Sequence, residues 1–357
     1  MPRKSRCLKV HKTLGEKTLG LANKLGLTDK SLQIKKAEAD FICIPLNREL
    51  DEKESALLKA QEIEFSVETL VFVEKKQPEK SLTEMLAREL PPRLLASLPR
   101  AIDVVGDIAI IEILPDLETH KAAVGEAILK THRNVRVVLA KAGAVSGVFR
   151  LREFNFIAGE QRTSTVYKEY GCAYYVDVAK AYFSPRLSHE HQRVAALVRT
   201  GEVVVDLFAG VGPFAVLIAK TQKDAKVFAV DINPDAIELL KKNARLNRAE
   251  NRVCPIVGDA RQVVRERLFG MADRVIMNLP ETASEFIDVA CQAVKPSGGV
   301  VHFYGFVKMP ETLEDLKRRF SEAAEKAGRK VPAFNYAKNV RETAPYEYQA
   351  VLDAEIC

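Results

Sequence analysis

The feature that most constrains this chain is a series of three apolar segments that each lead into an aspartate at the mouth of a turn. They read Val203-Val-Val-Asp206, Ala229-Val-Asp231 and, after Val253–Val257, Gly258-Asp259. Helical stretches at Gly212–Lys220 and Pro234–Leu246 separate them. The alternation continues with a strand at Arg274–Met277, a helix at Glu285–Val294, a strand at Gly299–Tyr304 and a helix at Glu311–Ala327. This order predicts an α/β fold with a doubly wound parallel sheet. Ligands of such sheets bind beyond the strand C-termini, which is where all three acids would stand. One aspartate in a turn is most often a cap or an Asx-turn residue. Three in order at successive strand ends point to a ligand.

The chemistry of that ligand follows from the first turn, Asp206-Leu-Phe208-Ala-Gly210-Val-Gly212. It is not the G-x-G-x-x-G of dinucleotide binders. A carboxylate here would repel a pyrophosphate. It suits S-adenosylmethionine, whose amino group and sulfonium are cationic. The glycines let the backbone pass close to the ligand. Asp231, 25 residues on, is placed to hold both ribose hydroxyls, and Asp259 can accept from the adenine amine. The pattern predicts a class I, Rossmann-like methyltransferase domain. The fourth strand leads into Asn278-Leu-Pro280-Glu281. This partly resembles the Asn/Asp-Pro-Pro-aromatic signature of enzymes that methylate planar amino or ring nitrogens. Leu279 and Glu281 depart from it, and a plain Asn-x-Pro turn is the competing reading. No Pro-Cys pair follows these strands, and Cys254 precedes Pro255 within a strand, so thiolate attack on a pyrimidine is disfavoured.

The 357 residues leave room for two or three domains. Residues 1–75 read as a small α/β unit, with strands at Cys7–Val10 and Phe41–Pro45 and helices near Glu16–Leu25 and Asp51–Gln61. Glu74–Lys80 reads as a linker. Residues 76–190 read as a strand-rich middle domain that opens on the capping box Ser81-Leu-Thr-Glu84. Its expected strands are Ala101–Leu114, Val135–Leu139, Gly147–Phe156, Thr163–Glu169 and Tyr174–Val178, with a helix at Thr119–Thr131. Residues 191–357 form the cofactor domain. The net charge is +6, and residues 1–50 alone carry eleven Lys/Arg against five Asp/Glu, so the rest is neutral. A basic N-terminal segment on a balanced body fits either a polyanionic partner or a merely soluble surface. The six cysteines are scattered, without zinc or disulfide spacing, as a reducing cytoplasm allows. No signal peptide, membrane span or metal site is expected.

These residues resemble the archaeal and eukaryotic tRNA (guanine37-N1) methyltransferases over essentially the whole chain. The resemblance rests on Cys7-Leu-Lys-Val, Asp103-Val-Val-Gly-Asp107, Gly147-Val-Phe-Arg150-Leu-Arg-Glu153 and Ala158-Gly-Glu-Gln-Arg162-Thr. It continues through Val176–Leu187 (with Tyr182-Phe-Ser-Pro-Arg186-Leu), the Asp206 loop, Asn278-Leu-Pro280 and Ala344-Pro-Tyr-Glu-Tyr348. It implies an N-terminal domain that docks on the outer corner of tRNA, a middle and a Rossmann-like domain that jointly catalyse at the anticodon loop, and a monomer with no protein partner. Methylating guanine N1 requires removing its proton and stabilising charge on O6. The resemblance assigns these tasks to Glu190 as base and Arg150 as donor, with Asn278 holding the guanine edge. It places the cofactor on His191, Asp206, Phe208, Gly210, Gly212, Asp231, Ile232, Asp259, Ala260 and Asn278, and the substrate on Arg150, Tyr182, Arg186 and Pro280. His191 stands where the family carries a basic residue near the cofactor. Read without the family, Glu190 is a helix N-terminal acid, Arg150 a strand-face ion-pair residue and Tyr182 core. Two other functions compete. One is wyosine-pathway chemistry at the same nucleotide, by carbon-7 methylation or aminocarboxypropyl transfer. The other is an RNA-binding module with a vestigial cofactor fold.

Overall fold

The computed structural model describes residues 2–37, 40–74, 81–143, 145 and 147–357. Nearly all of the expected linker, residues 75–80, therefore lies outside the described residues. The chain divides into two compact units, Met1–Lys80 and Ser81–Cys357.

The first unit is a four-stranded sheet of β1 (Pro2–His11), β2 (Lys35–Lys36), β3 (Phe41–Pro45) and β4 (Phe65–Val73), in the order β2-β3-β1-β4. Strand β1 runs ten residues because it pairs antiparallel on both edges, with β3 and β4. Two helices, Gly15–Lys24 and Glu52–Ala60, close a core built on Leu8, Val10, Ala22, Ile44 and Leu58. The second helix starts on a capping box between Asp51 and Glu54.

The second unit opens with β5 (Asp103–Val105), β6 (Ile108–Ile111), β7 (Val137–Lys141) and β8 (Phe154–Gly159), paired in that order. The expected single strand Ala101–Leu114 is instead a hairpin turning at Gly106 and Asp107, because Gly106 takes φ +60°. The helix Lys121–Thr131 carries the crossover between parallel β6 and β7. The expected strand Gly147–Phe156 is also corrected. Residues 147–150 form a turn in which Arg150 adopts φ +54°, Leu151 makes an isolated bridge, and the ladder to β7 begins at Phe154. A separate hairpin follows, β9 (Ser164–Glu169) and β10 (Cys172–Asp177).

The main sheet has seven strands: β11 (Val203–Asp206), β12 (Lys226–Asp231), β13 (Val253–Val257), β14 (Arg274–Met277), β15 (Gly299–Lys308), β16 (Phe334–Ala344) and β17 (Glu347–Ile356). Their order is β13-β12-β11-β14-β15-β17-β16. The first five are parallel, and β16 and β17 add an antiparallel hairpin that the sequence reading lacked. The boundary expected at residue 190 falls inside the helix Ser188–Leu197. One core unites the two sides of it, running from Val105, Ile108 and Val137 to Val204, Phe214 and Ile237. Asn243 and Asn247, one turn apart on the helix Pro234–Leu246, bond the backbone of β10. Asn243 accepts from Tyr175 N at 2.7 Å and donates to Tyr175 O at 3.1 Å, and Asn247 treats Ala173 likewise at 3.0 and 2.7 Å. Two amides thus stand in for a neighbouring strand.

Candidate active site

The turns that follow β11, β12, β13 and β14 open onto one cleft of about 1080 Å³. Asp206 ends β11 and is fully buried beneath the Leu207–Val211 loop. Its Oδ1 accepts from Phe208 N at 3.4 Å, and its Oδ2 has no partner. Burial, reinforced by the nearby Asp231 charge, pushes its pKa up to about 7 against the pull of the Phe208 amide. A buried oxygen without a donor is costly, and a ligand ammonium is the group that would satisfy it. Asp231 lines the cleft. It accepts from Gly210 N at 2.7 Å and Asn233 N at 2.9 Å, and burial raises its pKa as well. Each oxygen keeps a second acceptor site for a ribose hydroxyl. Asp259 caps the helix Ala260–Val263 through Arg261 N at 2.8 Å while also lining the cleft. Its capping and ligand-binding readings are therefore compatible. Gly210 and Gly212 take φ +54° and +88°. A Cβ on Gly212 would stand 2.9 Å from Leu240 Cγ, so only glycine can cap the helix Pro213–Thr221 in this position.

Most of the expected residues converge here. Arg150, Tyr182, Arg186, His191, Phe208, Gly210, Asp231, Ile232, Asp259, Ala260, Asn278 and Pro280 all line the cleft. Asp206 and Gly212 do not line it; they flank the Leu207–Val211 segment that does. Glu190 does not line it. On the first turn of the helix Ser188–Leu197, its buried carboxylate accepts from Tyr304 Oη at 2.8 Å and from Arg193 Nε at 3.0 and 3.2 Å. Arg193 also donates to Asp353 at 2.6 and 3.1 Å, and Asp353 meets His302 Nδ1 at 2.7 Å. Arg274 donates to His302 Nε2 at 3.1 Å and, through Nε, to Glu202 at 2.8 Å. A guanidinium only donates, so Nε2 accepts and the His302 proton is on Nδ1, toward Asp353. Burial opposes ionising Asp353, but the His302 and Arg193 bonds outweigh it and hold its pKa down to about 2.

Several participants escaped the sequence reading. Glu169 accepts from buried His191 at Nδ1, 2.7 Å away, and the imidazole packs edge-on against Phe214 at 4.6 Å. Gln349 donates to Asn278 Oδ1 at 3.4 Å and is itself held by Arg341 at 2.8 Å. Phe286 stands edge-on to Phe208 at 5.0 Å and carries Arg261 stacked at 3.7 Å, forming an aromatic wall. Arg186 pairs with Asp103 at 2.6 Å, and Arg150 pairs with Glu281. Each depends on a partner far away in sequence, so local patterning carries no sign of it. Among the described residues no cluster of metal ligands occurs, and no helix is long and apolar enough to cross a membrane.

A family model described as the TRM5/TYW2 methyltransferase domain matches residues 165–332. A TYW2 N-terminal domain model matches 82–163, and a tRNA methyltransferase 5 N-terminal domain model matches 7–54. The tRNA (guanine(37)-N(1))-methyltransferase Trm5b of Pyrococcus abyssi is 38% identical over 335 residues, 93% of each chain. The chain belongs to the Trm5/TYW2 methyltransferase family. As members of that family are S-adenosylmethionine-dependent tRNA-modifying enzymes, the orphaned Asp206 oxygen and the acids of β12 and β13 fit the expected cofactor. The fold matches a solved complex of aTrm5 with tRNALeu, with a TM-score of 0.70 at 36% identity over 98% of this chain and 99% of that one. A second Trm5/TYW2 relative, the tRNA 4-demethylwyosine(37)-methyltransferase Taw21 of Saccharolobus solfataricus, is 35% identical over 71% of this chain and 93% of its own.

Proposed function

We propose that this protein transfers a methyl group from S-adenosylmethionine to N1 of guanosine at tRNA position 37. The observation that carries this reading is the convergence of Asp231, Asp259 and Asn278 on one cleft beside buried Asp206, in a chain aligned nearly end to end with a guanine-37 N1 methyltransferase. The cofactor supplies an activated methyl group on a sulfonium. With the cofactor bound, Asp231 would hold its ribose hydroxyls and Asp259 its adenine amine, Asp206 behind the Leu207–Val211 loop would supply the negative charge for its ammonium, and His191, held by Glu169, would border it. Asn278, oriented by Gln349, holds the guanine edge so that N1 lies in line with the methyl group. Arg150 donates to O6 as charge builds there. Glu190 takes the N1 proton, and to do so it must exchange Tyr304 and Arg193 for the base. Tyr182, Arg186 and Pro280 border the flipped nucleotide. Flipping costs only a few kcal/mol in a loop. The basic N-terminal unit docks on the tRNA outer corner through phosphate contacts.

The test is methyl incorporation into two transcripts, with guanine or adenine at position 37, followed by nucleoside analysis. Label confined to 1-methylguanosine in the first supports the reading. Equal label in both, or none, overturns it. The likeness to the wyosine-pathway relative favours one second reading, methylation of a tricyclic precursor, which the same nucleoside analysis detects as a different product.

A further inference from the structure

We propose that Glu281 is the positioning residue that aims Arg150 at the substrate. The inference rests on the proposed role of Arg150 as donor to guanine O6. Glu281 is one of two positions, with Leu279, where the chain departs from the Asn/Asp-Pro-Pro-aromatic pattern, and the structure supplies a reason for it. Its two carboxylate oxygens accept from both terminal nitrogens of Arg150, at 2.5 and 2.7 Å. Such an end-on fork fixes the guanidinium plane and its direction, which a single bond does not. It uses two of five N–H groups and leaves three for a ligand.

The two ends of the pair differ in how firmly they are held. Glu281 follows Asn278-Leu-Pro at the end of β14, and the turn beyond is closed by Thr282 N and Ala283 N on Leu279 O at 3.1 and 2.8 Å. Arg150 ends a turn closed by its own amide on Gly147 O at 3.1 Å, with its backbone at φ +54°. No strand pairing holds residues 147–150. The backbone of Glu281 is held next to a paired strand end and that of Arg150 is not, so the carboxylate is the end from which the guanidinium takes its position. Both side chains line the cleft, so the fork ties the loop to the strand end that carries Asn278. The Arg150 and Glu281 side chains are 23% and 53% exposed, and an ion pair this open contributes little to stability. Its effect belongs to the geometry of the reaction.

The test compares Glu281→Gln, Arg150→Ala and the double variant with wild type in single-turnover methyl transfer to the guanine-37 transcript, with thermal unfolding and cofactor titration alongside. Glutamine keeps the shape but offers one acceptor instead of two. The expected result is a fall of about tenfold in the rate constant for Glu281→Gln, below the roughly hundredfold or more for losing an oxyanion donor. KM for tRNA, cofactor affinity and unfolding temperature stay close to wild type. The double variant is no slower than Arg150→Ala, because Glu281 acts through Arg150. An unchanged or faster Glu281→Gln beside a slow Arg150→Ala overturns the proposal and leaves the function standing. Multiplicative losses in the double variant, or a raised KM alone, also overturn it. An unchanged Arg150→Ala, or no 1-methylguanosine from wild type, removes the reading on which it stands.

Discussion

A carboxyl group pushed up to about 7, with one oxygen unpartnered, makes ligand binding depend on pH. In the free protein Asp206 holds its proton to higher pH than in the unfolded chain. Its contribution to stability is therefore greatest below the unfolded value of about 3.9 and declines as pH rises toward 7. Asp231 shifts in the same direction. A cationic ligand favours the ionised form, so S-adenosylmethionine affinity should rise with pH up to about 7, at most about tenfold per unit, and then level off. Calorimetric titration between roughly pH 6 and 8 checks this, and Asp206→Asn should remove the slope. A flat wild-type profile would mean Asp206 does not meet the ligand charge. Glu190→Gln should slow methyl transfer by about 10² to 10⁴ while sparing cofactor affinity. A parallel loss of affinity would end its assignment as base. Asp206, Asp231 and Asp259 were legible because each follows its own apolar strand. Glu169, Gln349 and the Arg150–Glu281 fork were not, since these contacts join residues from 22 to 131 positions apart.

At the scale of elements, two devices hold the Leu207–Gly212 loop beside the cleft. The first is Gly212, whose left-handed backbone starts the helix Pro213–Thr221. Gly212→Ala should destabilise the second unit by about 1–3 kcal/mol and weaken cofactor binding, seen as a lower unfolding temperature with a raised Kd. The second is Asn243, which bonds Tyr175 on β10 and also donates to Val211 O at 2.9 Å within the loop. Asn243→Ala strands three backbone groups and should cost roughly 2–4 kcal/mol in urea unfolding. A change within experimental error would show that water replaces the amide. The parallel strands were easy to read because burial on both faces makes them short, largely apolar segments with Val at their centres. Strands β16 and β17 were not. Edge strand β16 carries Lys338, Arg341 and Glu342 among its apolar positions, with register shifts along its pairing, so it shows no clean period. Residues 147–156 were expected to be one strand, but Gly147 and Arg150 both take positive φ, and the segment turns before β8 begins at Phe154.

Across the whole molecule, each unit carries its own core, so each should survive alone. Deleting residues 1–80 should leave cofactor affinity unchanged and weaken tRNA binding, with a shallower dependence of affinity on salt. Filter binding at several salt concentrations checks this, and unchanged tRNA affinity would refute the docking role. The charge chain from Glu202 through Arg274, His302, Asp353 and Arg193 to Glu190 has a consequence for synthesis. Asp206, Asp231 and Asp259 leave the ribosome well before β17, which brings Asp353 to Arg193 and Gln349 to Asn278. A chain interrupted before residue 347 lacks Glu347 and Gln349 of the cleft wall and the buried core residues of β17, and it leaves Arg193 without Asp353 and Asn278 without Gln349. Cofactor site and methylating capacity should therefore arrive together, as β17 is laid between β15 and β16.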